Sequence, residues 1–199
     1  MLARRVAAGG LVALAGIAAL RPNPDGDRAE VVVAVRDLRP GTALTPDDVR
    51  LENRLATTVP DGSEADLRAV VGSTLAGPAR RGEVLTDVRL LGSRLAEAAI
   101  GPKAGSDARI VPLHLADSAL IDLVRVGDVV DVLAAPATDA GTQAVTKVVA
   151  TDAIVVLVSA KQKVQAADSD RVVLVALPAR VANTVAGSAL GQEVTLTLH

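Results

Sequence analysis

The sequence predicts a mainly β or α+β fold in which two small strand-rich units follow one another. Short valine-rich runs recur along the chain, as in residues 30–35 and 171–177, and such runs are typical of buried strands. A single segment near the end, residues 178–190, carries clear helix signals. The regular alternation of strands and helices that a doubly wound parallel sheet requires is missing.

The composition excludes several classes of function. The 199 residues contain no Cys, Phe, Tyr or Trp and two His, so disulfides, thiolate ligands and a His-rich metal site are all excluded. Without aromatic rings there is no platform on which bases can stack. Three of the 21 basic residues lie within the first 21 positions, and the rest of the chain has an excess of acidic residues, which disfavours binding to phosphates. We therefore expect no nucleic-acid partner and no cofactor.

An uncharged apolar run, residues 6–20, follows Arg4 and Arg5. It is shorter than the roughly 20 residues that a membrane-spanning helix needs, and it also fits the apolar region of a signal peptide cleaved after residues 13–15. Arginines ahead of such a run place the N-terminus in the cytoplasm. We expect residues 1–29 to be an apolar N-terminal helix, as anchor or signal, followed by a linker, with the bulk of the chain outside the membrane. The alternative is a buried helix of a cytosolic domain.

The first strand-rich unit is predicted over residues 30–91. After the strand at 30–35, Pro40 and Gly41 predict a turn. Thr45 then stands at the N-cap position of a short helix, with a proline next and Asp48 at the third helical position. Alternation returns directly afterwards, so the helix cannot be long. Turns are predicted at Gly62 and Gly82, and a short helix is predicted over residues 63–71, ending at Gly72.

The first unit contains an internal echo. Residues 39–51 and 80–90 each contain a turn glycine, followed three residues later by Leu-Thr and then by Asp-Val-Arg-Leu. The match requires that two residues of the first copy be skipped. The shared order favours two related halves of one small β domain.

A connector, residues 92–107, is predicted to lead to the second unit, residues 108–199. The late helix has Pro178 at its first position, apolar residues four apart and Gly191 as its C-cap. Residues 136–142 and 161–170 are predicted loops. The other segments are valine-rich or alternate in polarity, and they predict strands at residues 109–115, 128–135, 143–159, 171–177 and 193–198.

No catalytic constellation is present in the sequence. The strongest candidate is the acidic pair of Gly127-Asp128-x-x-Asp131, because two carboxylates can perform acid–base chemistry or bind a cation. No third ligand lies at loop spacing, so we expect Asp128 to bond backbone amides of its turn and Asp131 to point to solvent. His114 reads as an ordinary strand residue and His199 as a frayed terminal one. We therefore expect no enzyme activity and no metal site.

The motifs resemble two known modules. The stretch 31–91, with Leu-x-Pro-Gly-x-x-Leu-Thr-x-x-Asp from residue 38 and a later Gly-Glu-x-Leu-Thr, resembles a SAF domain. The stretch 109–198, with Gly-Asp-Val-Val-Asp-Val-Leu from residue 127, resembles the C-terminal part of Flp (Tad) pilus assembly proteins of the CpaB/RcpC type. Residues of these motifs, expected to be structural, are Pro40, Gly41, Leu44, Thr45, Asp48, Gly72, Gly82, Gly127, Asp128 and Asp131.

The resemblance implies a β-clip fold for the first unit and a protein that faces outward from the cytoplasmic membrane. Its implied role is that of an assembly scaffold of a Flp-type pilus or related secretion apparatus, acting through contacts with other proteins of that apparatus. The alternative is a SAF module that binds peptidoglycan. Formation of a homo-oligomer is left open. If they lie at sheet edges, the valine-rich strands at 30–35 and 171–177 are the expected sites of pairing with a partner chain.

Overall fold

The computed structural model describes residues 26–101, 107–136, 146–160 and 171–199. Within these residues the mainly β, α+β class is confirmed, with seven strands in two sheets and three α-helices. The predicted N-terminal apolar helix and the predicted loop at 161–170 lie outside the described residues. So does most of the loop at 136–142. No helix in the described part of the chain combines the length and apolarity needed to cross a membrane.

The first unit is built around β1 (Arg28–Ala34) and β2 (Val49–Leu55), which pair in antiparallel fashion. The side chains of four consecutive residues of β1, 31–34, are at most 1% exposed. Both faces of β1 are therefore covered, which explains why its sequence is a continuous apolar run rather than an alternating one. A 3-10 helix, Pro46–Asp48, leads into β2 as the sequence predicts.

β1 is paired along both of its edges. Besides its ladder with β2, Ala34 N–H donates to Glu83 O at 3.0 Å, and Leu85 N–H donates to Val32 O at 2.9 Å. Residues 30–35 therefore do not meet the condition, a free sheet edge, under which they were predicted to pair with a partner chain. Glu83 and Leu85, which occupy this edge, belong to the second copy of the internal echo, residues 80–90. The second copy therefore covers the edge of β1 that the ladder with β2 leaves open.

Leucines fill the core of the first unit. Leu44, Leu75 and Leu85 are at most 2% exposed, and they pack with Val32 of β1. A single helical turn, α1 (Leu67–Val70), adds Val70 to this core. The helix predicted over residues 63–71 is confined to these four. The start of the segment is extended instead, because Ser63 bridges to Thr86 and Glu64 N–H donates to Leu85 O at 2.9 Å.

The second unit is a five-stranded antiparallel sheet in the order β3-β6-β5-β4-β7. Since β6 lies between β3 and β5, the strand predicted at 171–177 is interior and does not meet the edge condition for pairing with a partner chain. Two helices, α2 and α3, accompany the sheet. The bounds are β3 Ala108–Leu113, β4 Val129–Pro136, β5 Lys147–Val158, β6 Val173–Pro178, β7 Gln192–Leu198, α2 Ser93–Ile100 and α3 Ala179–Ala189.

The two outer strands of this sheet are brought together. Just past the end of β3, Leu115 forms a parallel bridge with Val194 of β7, and Ala116 N–H donates to Val194 O at 2.8 Å. The sheet therefore curls until its ends approach each other, which covers part of the backbone edge of β7. β3 contains Pro112, a residue confined to edge strands because it lacks an N–H for a second ladder.

The helices α2 and α3 pack on opposite faces of the sheet. Val175 of β6 packs with Ala182 of α3 in one cluster, whereas the next residue, Ala176, packs with Ala96 of α2 in another. Successive side chains of a strand point to opposite faces, so the two clusters lie on the two sides of β6. The predicted connector, residues 92–107, thus contains a helix that is packed on the second sheet.

The late helix is shifted by one residue from the prediction. Pro178 is the last residue of β6 and the N-cap of α3 rather than its first helical residue. Its φ of −55° with ψ of 139° keeps it extended, and the helix begins at the next residue. Leu190, not Gly191, is the C-cap.

Candidate functional site

The carboxylate of Asp48 lies at the centre of the first motif. Its side chain is 1% exposed and accepts hydrogen bonds from Thr45 N–H at 2.9 Å and from Thr45 Oγ1 at 2.7 Å. Arg36 Nε donates to its second oxygen at 2.7 Å. Asp48 thereby joins the start of the 3-10 helix to the segment that follows β1. This arrangement satisfies a buried charge fully and serves structure rather than chemistry.

The hydrogen bonds determine the ionisation of Asp48. The Thr45 hydroxyl has the largest effect and the Thr45 N–H the second largest, and together they hold the pKa of Asp48 below its ordinary value of 3.8. Burial acts in the opposite direction and is outweighed, with Arg36 contributing a further lowering. The carboxylate is therefore ionised at neutral pH and is not poised to exchange a proton.

The second copy of the echo repeats the local geometry. Gly82 has φ +80° where Gly41 has +75°, and both glycines precede a buried leucine and a threonine N-cap. The counterpart of Asp48 is Asp87, which lies at the start of the 3-10 helix Asp87–Arg89. Its carboxylate has a different partner, Arg94 Nε at 3.9 Å. The two halves thus share the turn and a threonine at the N-cap position, but not the hydrogen bonds between that threonine and the aspartate or the buried ion pair.

The remaining motif residues of the first unit lie in its turns and core. Pro40 and Gly41 form a turn between β1 and the 3-10 helix, and Leu44 is 2% exposed in the core. Gly72 follows α1 with φ +87°, and its N–H donates to Leu44 O at 2.8 Å. Together they hold the backbone and present no group that could bind a ligand.

In the second unit, Asp128 stabilises a turn. Its Oδ2 accepts from Arg125 N–H at 2.7 Å, and Gly127 beside it has φ +96°. The sequence predicts this role for Asp128. The Gly127 N–H donates to Val155 O at 2.8 Å, which attaches the turn to β5.

Asp131 does not point to solvent as predicted. Its side chain is 21% exposed, and its Oδ1 lies 2.9 Å from His199 Nε2 and accepts from Asp152 N–H at 3.1 Å. His199 is not frayed either, because its N–H donates to Val129 O at 3.1 Å. The hydrogen bond from the His199 ring, and after it the Asp152 N–H, lower the pKa of Asp131 below 3.8.

A bulge in β5 brings the Asp152 N–H to the carboxylate of Asp131. Val130 pairs with Ala153 and Val132 with Ala150, so two residues of β5 stand opposite the single residue Asp131. One of the two, Asp152, has φ +56°, which is unusual for a residue with a side chain. The Asp131 carboxylate therefore holds a bulge in place. The polar pair Thr-Asp at 151–152, which interrupts an otherwise apolar strand, is the sequence signal that could have revealed it.

The two turn glycines predict a measurable effect. We expect Gly41→Val and Gly127→Val each to lower the free energy of unfolding by about 1 kcal/mol or more, because a β-branched residue is strained at positive φ. Steric collision of the new side chain with its neighbours is not the cause of this loss of stability. A Cβ at Gly41 would lie 4.0 Å from Leu157 Cδ2, and a Cβ at Gly127 would meet nothing within 4 Å.

The same substitution at Gly187 is the control, because this residue is exposed on α3 and has open space around it. Urea unfolding followed by circular dichroism measures the difference. Equal midpoints for the Gly127→Val, Gly187→Val and parent proteins would show that the turn tolerates a side chain.

An apolar groove of about 700 Å³ runs along β5. Its walls include Ile100 at the end of α2, Val181 on α3 and the half-exposed Val148. Thr151 and Asp152 are its polar members. Sequence analysis did not identify it, because its walls come from segments far apart in the chain. Aliphatic walls suit contact with apolar groups, and the lining contains no nucleophile paired with a base.

The described residues contain no group of three or more acidic or histidine side chains that could hold a metal ion. His114 is exposed just after β3, and the structure brings neither Asp128 nor Asp48 to the pair formed by Asp131 and His199. The motif residues are thus distributed over separate turns, the core of the first unit and strand β4. Each acts on its own backbone neighbourhood.

Comparison with known proteins identifies the first unit. Residues 29–91 match the family model of the SAF domain. The chain is similar to the crystal structure of flagellar protein FlgA from Thermotoga maritima MSB8, with 30% identity and a TM-score of 0.31 over 32% of this chain and 25% of that one. It thus spans a quarter of the length of that protein. No curated protein matches the chain. The unit around β1 and β2 is a SAF domain.

Proposed function

We propose that this protein is a scaffold for the assembly of a pilus or related surface apparatus, tethered to the cytoplasmic membrane and acting outside it through contacts with other proteins. The observation that carries the proposal is the SAF domain at residues 29–91, which follows an apolar run, residues 6–20, after eight intervening residues; Arg4 and Arg5 precede that run. SAF domains are found in pilus and flagellar assembly proteins, and the motif around Gly127 resembles the Flp pilus proteins of the CpaB/RcpC type.

The chemistry of the described residues supports binding rather than turnover. The buried carboxylate Asp48 is neutralised by Arg36 and is occupied by hydrogen bonds from Thr45. Asp131 is likewise engaged, with His199 and the bulge in β5. The pKa values of both carboxylates are held below 3.8 by these hydrogen bonds, so neither is poised to take up a proton near neutral pH as a general base must.

The topology of the proposed tether is tested with reporter fusions placed after Leu198. A reporter active only outside the cytoplasm is expected to be active, because Arg4 and Arg5 retain the N-terminus inside. The matched variant replaces both arginines with glutamate and is expected to lower that activity severalfold. A silent external reporter together with an active cytoplasmic one would overturn the tether.

The partner class is tested by crosslinking in the native membrane followed by mass spectrometry. We expect subunits of a pilus or secretion apparatus among the crosslinked proteins. A parallel sedimentation assay with purified peptidoglycan tests the alternative function, that of a SAF module that binds the cell wall. Co-sedimentation with the glycan in the absence of any crosslinked apparatus protein would favour a cell-wall-binding SAF module instead.

A further inference from the structure

The outer edge of β2 is an unpaired row of backbone groups. Val32 of β1 directs its N–H and C=O away from β2, since it bonds Glu64 O and Leu85 N–H instead. Val32 stands opposite Leu51, and the two members of such a pair both point their backbone groups away from each other. Leu51 and, two residues on, Asn53 therefore direct N–H and C=O outward. No described residue bonds these groups.

The other strands at sheet edges are protected against pairing with an added strand, whereas β2 is not. β3 contains Pro112, which cannot donate to an added strand, and β7 is paired near Val194 by the segment after β3. β2 contains no proline and runs for seven residues, Val49–Leu55. A regular strand of this length with an open edge is a template for another strand.

The side chains of β2 add a second observation. Leu51 and Leu55 lie on one face of the strand and are 38% and 40% exposed. On the other face, Arg50, Glu52 and Arg54 alternate in charge, with Glu52 3.0 Å from Arg50 and 2.8 Å from Arg54. One face of the strand thus presents two exposed leucines with Asn53 between them, and the other face presents alternating charge along the same open edge.

We propose that β2 pairs with β2 of a second copy of this chain, antiparallel about a twofold axis at Asn53. In this register Leu51 lies opposite the partner's Leu55, and Glu52 lies opposite the partner's Arg54, each pair occurring twice by symmetry. The outward backbone groups of Leu51 and Asn53 and the N–H of Leu55 then form the hydrogen-bonded pairs of a ladder. Leu55 O already accepts from Thr58 Oγ1 at 2.8 Å and would accept the ladder bond on its second lone pair. The two-stranded sheets of two copies become one four-stranded sheet.

The order of apolar and charged residues in β2 favours this register over those with the twofold axis at Glu52 or at Leu51. An axis at Glu52 would place Arg50 opposite the partner's Arg54 and the two copies of Glu52 opposite each other, which is destabilising. An axis at Leu51 would leave Leu55 beyond the paired segment and exposed. The axis at Asn53 covers both leucines and pairs opposite charges. This match of a strand with itself identifies a second copy as the occupant.

The inference rests on β2 alone and is independent of the proposed membrane role. It is tested by measuring the mass of the full chain in mild detergent by analytical ultracentrifugation. We expect a dimer for the parent. Asn53→Pro should be monomeric at the same concentration, because it removes an outward N–H without removing a bond to β1. Asn53→Thr keeps that N–H and is the control expected to remain dimeric.

Charge reversal tests the register. Glu52→Arg brings two arginines opposite each other across the interface and should weaken the dimer roughly tenfold. Adding Arg54→Glu in the same chain restores opposite charges across the axis and should recover most of the affinity. A double variant as weak as the single one would overturn the register at Asn53.

The absence of cysteine from the chain allows a direct proximity test. Asn53→Cys places two thiols beside the axis, and a short bifunctional maleimide should link the two copies. Ala186→Cys, exposed on α3, is the control expected to remain unlinked. A parent protein that is monomeric throughout the concentration range, or an Asn53→Pro variant that stays dimeric with its circular dichroism unchanged, would overturn the proposal.

Discussion

Replacing Asp48 with alanine is expected to lower the free energy of unfolding of the SAF domain by about 3 kcal/mol. The change removes the acceptor of two hydrogen bonds from Thr45 and of one from Arg36. The two bonds from Thr45 form the helix cap, whose loss costs about 1 kcal/mol, and the bond from Arg36 to the buried charge contributes about 1.5–3 kcal/mol. The Arg36 side chain is 67% exposed and will be hydrated again, which keeps the total near the lower end of the sum.

Urea unfolding followed by backbone circular dichroism measures this loss, since the chain has no aromatic residue for fluorescence. Asp47→Ala is the matched control, because Asp47 is the exposed neighbour in the same turn. We expect it to change stability by less than about 0.5 kcal/mol. If the two variants unfold at the same urea concentration, the Asp48 carboxylate is not the stabilising group.

The contribution of Asp48 should also depend on pH. Its folded-state pKa is lowered below 3.8, so in acid the unfolded chain takes up the proton first. The stabilisation is therefore complete above about pH 4 and is lost as the pH falls through the lower, folded-state pKa. The difference in free energy of unfolding between the parent and Asp48→Asn should therefore narrow as the pH falls from about 4 through the folded-state pKa of Asp48. A difference that stays constant down to pH 2 would contradict the assignment.

Replacing Ala96 with glutamate is expected to lower the stability of the second unit by about 3 kcal/mol or more. Ala96 is 0% exposed and packs with Ala108, Val156 and Ala176. These side chains are small, so α2 lies close to the sheet and leaves no room for a longer side chain. The carboxylate would be buried without a partner, or the helix would leave the sheet and expose the apolar face beneath it.

Ala98→Glu is the matched control on the same helix, because Ala98 is exposed. It introduces the same charge with no change of packing, and we expect little change in the unfolding midpoint. A thermal melt monitored by circular dichroism distinguishes the two variants. If Ala96→Glu unfolds at the parent temperature, α2 does not stabilise the sheet and acts only as a linker.

Several parts of the fold could be predicted because they depend on short-range patterns. The valine runs predict β1 and β6, since a strand buried on both faces needs consecutive apolar side chains. The left-handed turn at Gly41 and the cap formed by Thr45 and Asp48 each involve residues within a few positions of one another. For the same reason the internal echo predicts a left-handed glycine turn and a threonine at the N-cap position in both halves.

The role of residues 92–107 could not be predicted from such patterns. Their glycine-, proline- and serine-rich end is typical of a connector, yet residues 93–100 form α2. A helix of eight residues is marginal on its own and is stabilised by tertiary packing. Here the stabilising surface is the sheet under Ala96, which is built from strands that come later in the chain.

By itself, the sequence determined which segments are strands, where the chain turns and which carboxylate caps the 3-10 helix, since these depend on neighbouring residues. The tertiary structure alone decided that β1 and β6 are interior and that β2 has an open edge. It also decided that His199 meets Asp131 across the bulge in β5. Strand order and such contacts join residues distant in sequence, and the packing of the whole chain, rather than any local preference, determines which of them meet.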